Sequence, residues 1–226
     1  MANKLGLKAI IVSSQKLSVY KKTIIEGYNA TIQFIDFYNL DEATDFTKEL
    51  ALKMNFTFVP LFGNDNLLTG YSEIASEICE DIPGNLKIFF PIGSGSLLFA
   101  NAKRAKEINS KHKIIGVEPK VFQRLNGADS HNNPSSSIAD SLSIDRIPNC
   151  NLELKKYADS LLVIEEFEII AAMKIIYDQF EIVTEAGGAI TLAAALKTDK
   201  DETKKIAVIT GKNISSDKFH FLICQS

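Results

Sequence analysis

The stretch LKIFFPIGSGSLLFANAKRAKEI, residues 86–108, decides the fold class. It begins with an apolar and aromatic run that is typical of a buried strand. A turn rich in glycine and serine follows at 93–96, and the rest has helical spacing. A strand, a tight turn and a helix in this order form half of a βαβ unit. The stretch therefore predicts a parallel sheet with helices on its faces.

The same alternation of strands and helices recurs along the chain and predicts an α/β fold with a three-layer, doubly wound, mostly parallel sheet. The predicted strands are 8–13, 31–36, 56–59, 86–92, 113–118 and 204–210. The predicted helices are 16–28, 41–54, 71–80, 97–109, 165–179 and 188–197. Between them, residues 126–148 are crowded with Gly, Asp, Ser, Asn and Pro, which predicts a long loop with a short ordered insert.

Composition narrows the classes of partner. The chain has 226 residues, 46% of them hydrophobic, and a net charge of −3. It can therefore bury a large core, and it offers no basic stripe for a nucleic acid. No apolar run approaches a membrane span. The three cysteines, Cys79, Cys150 and Cys224, are far apart and form no CxxC pair, which argues against a disulfide framework and favours the cytoplasm.

The turn at 93–96 is a candidate phosphate site. A glycine-rich turn between a strand and a helix presents main-chain N–H groups, and the positive end of the helix dipole, to an anion. Ser94 and Ser96 add hydroxyl donors. The turn is not a Walker loop, since no GK[ST] follows, and Leu98 replaces the third glycine of the dinucleotide fingerprint. On these residues alone, a tight turn that binds nothing remains an alternative.

The chain resembles the fold type II pyridoxal-phosphate enzymes, which have a tryptophan synthase β-like fold. The similar group contains threonine synthase, threonine dehydratase and serine racemase, and the resemblance runs from about residue 2 to residue 215. Its segments occur in the family's order: GYSEIASEI (70–78), PIGSGSLLFANAKRAKEINSKHKIIGVEP (91–119), SIADSLSI (137–144), TEAGGAITLAAAL (184–196) and AVITGKNIS (207–215).

The resemblance implies pyridoxal 5'-phosphate as cofactor and a role for each matching residue. Main-chain donors of Gly93, Ser94, Gly95, Ser96 and Leu97 would hold its phosphate. Thr210 matches the residue that hydrogen-bonds the pyridine nitrogen. Glu185 matches an acidic residue near the ring edge, although Ala186 stands where many relatives have proline. Residues 1–59 would be a remnant of the smaller domain, and 60–226 the larger, phosphate-binding domain.

Two departures from the family concern catalysis and metal. The Schiff-base lysine of the family lies upstream of the segment that matches ANKLGLKAIIVSS, at 2–14, so we expect a chain truncated at its amino end, with no catalytic residue of its own. The lysines that follow the phosphate loop (Lys103, Lys106, Lys111 and Lys113) have the pattern of solvated helix and turn positions. Glu118, which pairs with a nearby aspartate to bind a cation in some relatives, is followed by KVFQRLNG with Arg124 and no carboxylate, so no metal is expected.

Two functions fit these features. The first is a lyase or synthase of amino-acid metabolism that acts on an amino-acid substrate, with this chain as an inactive carboxyl-terminal portion. A missing amino-terminal segment or a full-length relative would complete it. We also expect a homo-oligomer, with a second copy of the chain as a partner. The second is a non-catalytic paralogue that keeps the phosphate pocket as a ligand sensor or scaffold. A serine hydrolase is disfavoured because no GxSxG elbow occurs.

Overall fold

The computed structural model describes residues 1–37, 40–60, 63–122, 137–143, 154, 156–199 and 201–224. The chain divides into two compact units, Met1–Pro60 and Leu61–Ser226. Within the described ranges, no helix is both long enough and apolar enough to cross a membrane.

The first unit is a small α/β arrangement. Its two strands, β1 (Ile10–Ser13) and β2 (Thr31–Phe34), pair in parallel, with Ile10 opposite Thr31. Its helices are α1 (Val19–Gly27) and α2 (Leu40–Met54). The prediction of a strand at 56–59 is wrong, because these residues form neither a strand nor a helix. Val59 is 67% exposed, so the apolar run does not lie in a sheet interior.

The second unit contains a four-stranded parallel sheet in the order β5-β4-β3-β6. The strands are β3 (Leu86–Pro91), β4 (Lys113–Pro119), β5 (Ser160–Ile164) and β6 (Lys204–Ala207). The helices are α3 (Asp65–Asp81), α4 (Ser96–Ile108), α5 (Glu166–Phe180), α6 (Ala186–Lys197) and α7 (Ser216–Ile223). Of the predicted loop 126–148, only 137–143 lie among the described residues, with a short 3-10 helix at Asp140–Leu142.

Strand β5 and helix α7 have no counterpart among the predicted elements. The strand is a run of only five residues, and short apolar runs do not by themselves distinguish strand from helix. The signal for α7 was its cap: the Ser215 side chain accepts a hydrogen bond from the Lys218 amide. Strand β5 forms one edge of the sheet, and α7 packs on the face that α5 and α6 also cover.

Side chains that alternate along the strands fill two separate cores. Phe89, Ile115 and Val117 face one side and pack with α5, α6 and α7. Ile88 and Phe90 face the other side and pack with α3 and α4. Because neighbouring side chains of a strand point to opposite faces, this division requires helices on both sides of the sheet. The predicted three-layer, doubly wound α/β fold is confirmed.

The order of the strands creates a switch point between β3 and β6. The chain leaves the end of β3 into α4, on one face of the sheet, and leaves the end of β6 into α7, on the opposite face. In open parallel sheets, diverging connections of this kind leave a crevice at the carboxyl ends of the strands, where ligands bind. The switch point therefore lies directly beside residues 92–95 and 208–215.

The opposite, amino edge of the sheet is held by a buried histidine. His112 is 2% exposed, and its Nδ1 accepts a hydrogen bond from the Leu86 amide at 3.1 Å. Its Nε2 lies 3.4 Å from Cys79 Sγ. Because Nδ1 is an acceptor, the proton of the neutral ring belongs on Nε2, which donates to the thiol. Burial, and then the charge of Lys106, lower the pKa of His112 below its ordinary value, while burial raises the pKa of Cys79.

This histidine should make stability fall on mild acidification. Its pKa is lower in the folded than in the unfolded chain, so the unfolded chain takes up a proton first as the pH falls below about 6.5. We expect the free energy of unfolding to drop between about pH 7.5 and pH 5.5, by at most about 1.4 kcal/mol, the limit for one group that binds its proton only in the unfolded chain. The drop should be smaller in His112→Gln, whose amide keeps one acceptor and one donor.

Urea denaturation at each pH measures this difference. The carboxyl groups with lowered pKa values do not interfere, because they lose their contribution only below about pH 5. For Glu168, burial alone would raise the pKa, but the Glu165 amide and Lys197 outweigh it. An equal pH response in both proteins would contradict the role given to His112.

Candidate functional site

The turn at 92–95 places the amino end of α4 at the carboxyl end of β3. Gly95 caps the helix with φ +88°, a left-handed conformation that a side chain would strain. Gly95 and Ser96 are buried, whereas Gly93, Ser94 and Leu97 are half-buried. The first turn of α4 contains no acidic residue. The main-chain N–H groups of this turn and the helix dipole therefore form a site that favours an anion.

Two hydroxyl groups line the same turn. Ser94 Oγ lies 3.3 Å from Ser96 Oγ and 3.4 Å from the Ser96 amide. The Ser94 hydroxyl thus accepts from the Ser96 amide and donates to Ser96 Oγ, which folds the Ser94 side chain over the start of the helix beside the main-chain donors.

The turn that follows β6 carries Thr210, which is exposed. The carbonyl groups on either side of it are held by buried threonines. Thr191 Oγ1 donates to the Val208 carbonyl at 2.9 Å, and Thr184 Oγ1 donates to the Gly211 carbonyl at 2.8 Å. Helix α6 and the residues just before it therefore fix the backbone around Thr210.

Glu185 lies against the same turn. Its amide donates to the Gly211 carbonyl at 2.9 Å, and a Cβ atom built on Gly211 would be 2.5 Å from Glu185 Oε1. Glu185 is half-buried and precedes the first residue of α6. The structure thus brings Glu185 to the turn that carries Thr210.

The segment 137–143 is anchored next to these residues. Glu166 accepts hydrogen bonds from Ser137 Oγ at 2.7 Å and from the Ile138 amide at 2.8 Å. The Ser141 hydroxyl lies where a Cβ atom on Gly187 would be. The sequence marked this segment as similar to the family but assigned no residue of it to the site, and the contact between Ser141 and Gly187 carries no local sequence signal.

The two candidate loops come from neighbouring parallel strands. Phe89 pairs with Ala207, and the Val208 amide donates to the Phe89 carbonyl at 3.2 Å. Ile92 and Thr210 each stand three positions beyond that pair, on opposite sides of the switch point. The residues 93–97 and Thr210 therefore lie at the same edge of the sheet, although more than a hundred positions separate them in sequence.

The lysines that follow the phosphate loop in sequence lie elsewhere. Lys106 lies in the last turn of α4, and Lys113 is the first residue of β4. Both form ion pairs with Asp159 at the amino edge of the sheet, at 2.7 Å and 3.1 Å respectively. Burial alone would raise the pKa of Asp159, but the Ile114 amide and the two ammonium groups outweigh it and lower the pKa. Lys103 and Lys111 are exposed.

Glu118 is buried at the end of β4. Among the described residues, no group of three His, Cys, Asp or Glu side chains could hold a metal ion. Arg124 lies outside the described residues, so the expectation that no metal binds beside Glu118 stays a prediction.

The donors of this edge fit a phosphorylated aromatic ligand. The helix amino end with its two hydroxyl groups suits a dianionic phosphate. The Thr210 hydroxyl suits a neutral ring nitrogen, since it brings no charge. Gly211 leaves room for the Glu185 side chain at the same turn. The residues present therefore fit the cofactor that the sequence resemblance implied.

Comparison with known proteins agrees with this geometry. The family described as "Pyridoxal-phosphate dependent enzyme" matches residues 1–211. The chain is 30% identical to the biosynthetic L-threonine dehydratase of Haemophilus influenzae over an alignment of 231 positions, gaps included, which covers 98% of this chain and 44% of the relative. It is 29% identical to the L-threonine ammonia-lyase of Thermotoga maritima, over 92% of this chain and 54% of the relative.

A similar solved structure is that of maize serine racemase. It superposes with a TM-score of 0.82 over 99% of this chain and 71% of the other, at 23% identity. At that identity the likeness concerns the fold. The chain thus spans about half the length of the curated relatives above, and it shares its fold with the racemase structure.

Proposed function

The chain belongs to the pyridoxal-phosphate dependent enzyme family, and from that premise we propose that it holds the cofactor of a lyase that acts on hydroxy-amino acids. The names of the dehydratase and the ammonia-lyase above favour ammonia elimination over synthase chemistry and threonine as the substrate, and the racemase makes serine a second candidate. The activity, the amino-acid substrate, the homo-oligomer and the cytoplasmic location are all parts of this proposal.

The observation that carries the proposal is the convergence of two loops at one switch point. The anion-binding turn 92–95 and the turn that carries Thr210 follow adjacent strands, and the two connections diverge to opposite faces. Crevices of this kind are where ligands bind in parallel sheets. A surface loop that bound nothing would not require a matching polar turn on the neighbouring strand.

Each residue of the proposed site has one task. Main-chain donors of residues 93–97 would hold the phosphate, with Ser94 and Ser96 adding hydroxyl groups. Thr210 would donate to the pyridine nitrogen, and Glu185 would lie near the ring edge. Pyridoxal phosphate, when bound, supplies a conjugated ring that withdraws electrons from the α carbon of an amino acid. Thr210, unlike a carboxylate, holds no proton on the ring nitrogen, which suits elimination at the β carbon.

We propose that the lysine that bonds the cofactor covalently comes from polypeptide outside residues 1–226. Lys106 and Lys113 lie at the amino edge of the sheet, away from the proposed site. We propose further that Met1–Pro60 corresponds to part of the smaller domain and Leu61–Ser226 to the larger, phosphate-binding domain.

Reduction with borohydride tests this proposal. The purified chain is mixed with pyridoxal 5'-phosphate and reduced, and the modified lysines are mapped by mass spectrometry. We expect low, scattered labelling and no ammonia or oxoacid from serine or threonine, because without the lysine the substrate has neither its covalent link nor a base. Turnover should appear when a lysine-containing amino-terminal segment of a relative is added.

Lys212 provides the sharpest control, since it lies on the same turn as Thr210. Stoichiometric capture at one lysine together with turnover would overturn the proposal, and loss of both in Lys212→Arg would assign the role to Lys212. A protein that neither binds the cofactor nor gains activity from the added segment would also count against the proposed function.

A further inference from the structure

Two buried threonines form hydrogen bonds to the backbone before and after Thr210. Thr184 is 1% exposed and Thr191 is fully buried. Thr184 Oγ1 donates to the Gly211 carbonyl at 2.8 Å, and Thr191 Oγ1 donates to the Val208 carbonyl at 2.9 Å. The hydroxyl groups thus hold the two carbonyl groups that bracket the dipeptide of Ile209 and Thr210.

These bonds begin where the sheet ends. Strand β6 stops at Ala207, so the carbonyl groups beyond it leave the regular ladder of the sheet. A carbonyl buried without a partner costs about 1–3 kcal/mol. Thr191 of helix α6 and Thr184, just before that helix, supply the partners in place of a strand, which fixes the direction of a segment that would otherwise be an irregular loop.

The same helix approaches the turn so closely that a side chain would not fit between them. A Cβ atom built on Gly188 would lie 2.5 Å from the Gly211 carbonyl oxygen and 2.8 Å from its nitrogen. The Glu185 amide gives the Gly211 carbonyl a second hydrogen bond, at 2.9 Å. Three hydrogen bonds, from Thr184, Glu185 and Thr191, and the close approach of Gly188 therefore restrain residues 208–211.

We infer that Thr184 and Thr191 are positioning residues, which hold the Thr210 hydroxyl at the pyridine nitrogen and thereby set the proton affinity of that nitrogen. This inference rests on the proposed function. A hydroxyl that donates to the nitrogen lone pair stabilises the unprotonated ring, so a fixed Thr210 lowers the pH at which the nitrogen takes up a proton. A Thr210 free to turn away would leave the nitrogen to water.

Thr198, which directly follows the last residue of α6, offers a control. Its Oγ1 donates to the Ala195 carbonyl at 2.9 Å, a bond of similar length at the other end of α6. Replacing any of these threonines with valine keeps the shape and removes one hydrogen bond. Only the bonds of Thr184 and Thr191 lead to the turn that carries Thr210.

The test uses pyridoxine 5'-phosphate, which has no aldehyde and so binds without a lysine. The ligand is labelled with ¹⁵N in the ring, and its nitrogen chemical shift is followed against pH in the protein and its variants. We expect Thr191→Val and Thr184→Val to raise the protonation midpoint of the bound ring by about half a pH unit or more, and to weaken binding about threefold, corresponding to about 0.7 kcal/mol. Thr191→Ser, which keeps the hydroxyl group, should have the midpoint and the affinity of the original protein, and so should Thr198→Val.

Thr210→Val separates this inference from the proposed function. If the chain does not bind the ligand, or if Thr210→Val leaves the midpoint unchanged, the proposed function of this site fails. If Thr210→Val raises the midpoint but Thr191→Val and Thr184→Val do not, the proposed function survives and the positioning role is refuted. A shift in Thr198→Val as large as in Thr191→Val would also refute it, because the effect would then reflect a general loosening of the helix.

Discussion

Replacing Gly188 with alanine is expected to lower the free energy of unfolding by about 3 kcal/mol, at the upper end for overpacking a core. The new Cβ atom would meet the carbonyl oxygen and the nitrogen of Gly211 within 2.8 Å, and both are backbone atoms that cannot rotate aside. Either α6 or the turn after β6 must move. Because that turn carries Thr210, the variant should also lose affinity for pyridoxine 5'-phosphate.

The control is a glycine-to-alanine substitution at a position where the new side chain meets no other atom. Gly70 lies within α3, and a Cβ atom there would meet nothing within 4 Å. Gly70→Ala should stabilise the protein by about 0.5–1 kcal/mol, the helix propensity difference between the two residues. Urea denaturation measures both changes. If the free energy of unfolding of Gly188→Ala is within about 1 kcal/mol of that of the original protein, α6 and the turn are not packed as described.

Ser94→Asp is expected to weaken the binding of pyridoxine 5'-phosphate at least 30-fold, or about 2 kcal/mol. Ser94 Oγ lies 3.4 Å from the Ser96 amide, so a carboxylate there would compete for the main-chain donors of the turn. It would also repel the phosphate at short range, where two charges interact by several kcal/mol. Because Ser94 is half-buried and near the surface, the fold should persist.

Ser110→Asp is the matched variant. Ser110 is exposed and lies beyond the other end of α4, at the amino edge of the sheet, so the chain gains the same charge far from the turn. Calorimetric titration measures the affinity of both variants for pyridoxine 5'-phosphate. The affinity of Ser110→Asp should be within about twofold of that of the original protein. Equal losses in the two variants would mean that net charge, rather than the turn at 92–95, governs binding.

Local sequence predicted most elements of the larger unit, but not β5 or α7. The run at 86–92, the glycine turn and the helix after it appear nearly where the pattern placed them, and the parallel sheet with helices on both faces is confirmed. Hydrophobic alternation determines which face each strand residue covers, so the layers follow from the sequence.

The contacts that build the site were not predictable in the same way. The bond between Thr191 and the Val208 carbonyl joins a helix to the end of another element, and nothing in the sequence near Thr191 marks it. The strand predicted at 204–210 ends at Ala207, because α6 rather than a neighbouring strand binds the following carbonyl groups. Tertiary hydrogen bonds of this kind override local propensity.

The most direct test of the account is to map where pyridoxine 5'-phosphate touches the chain. Amide resonances of the ¹⁵N-labelled protein are followed during titration with this ligand and, separately, with pyridoxine, which lacks the phosphate. We expect the largest shifts at the amides of residues 93–97 with the phosphorylated ligand and much smaller shifts there with pyridoxine, together with changes at Thr210. Saturable binding that leaves residues 93–97 unchanged, or equal shifts with the two ligands, would contradict it.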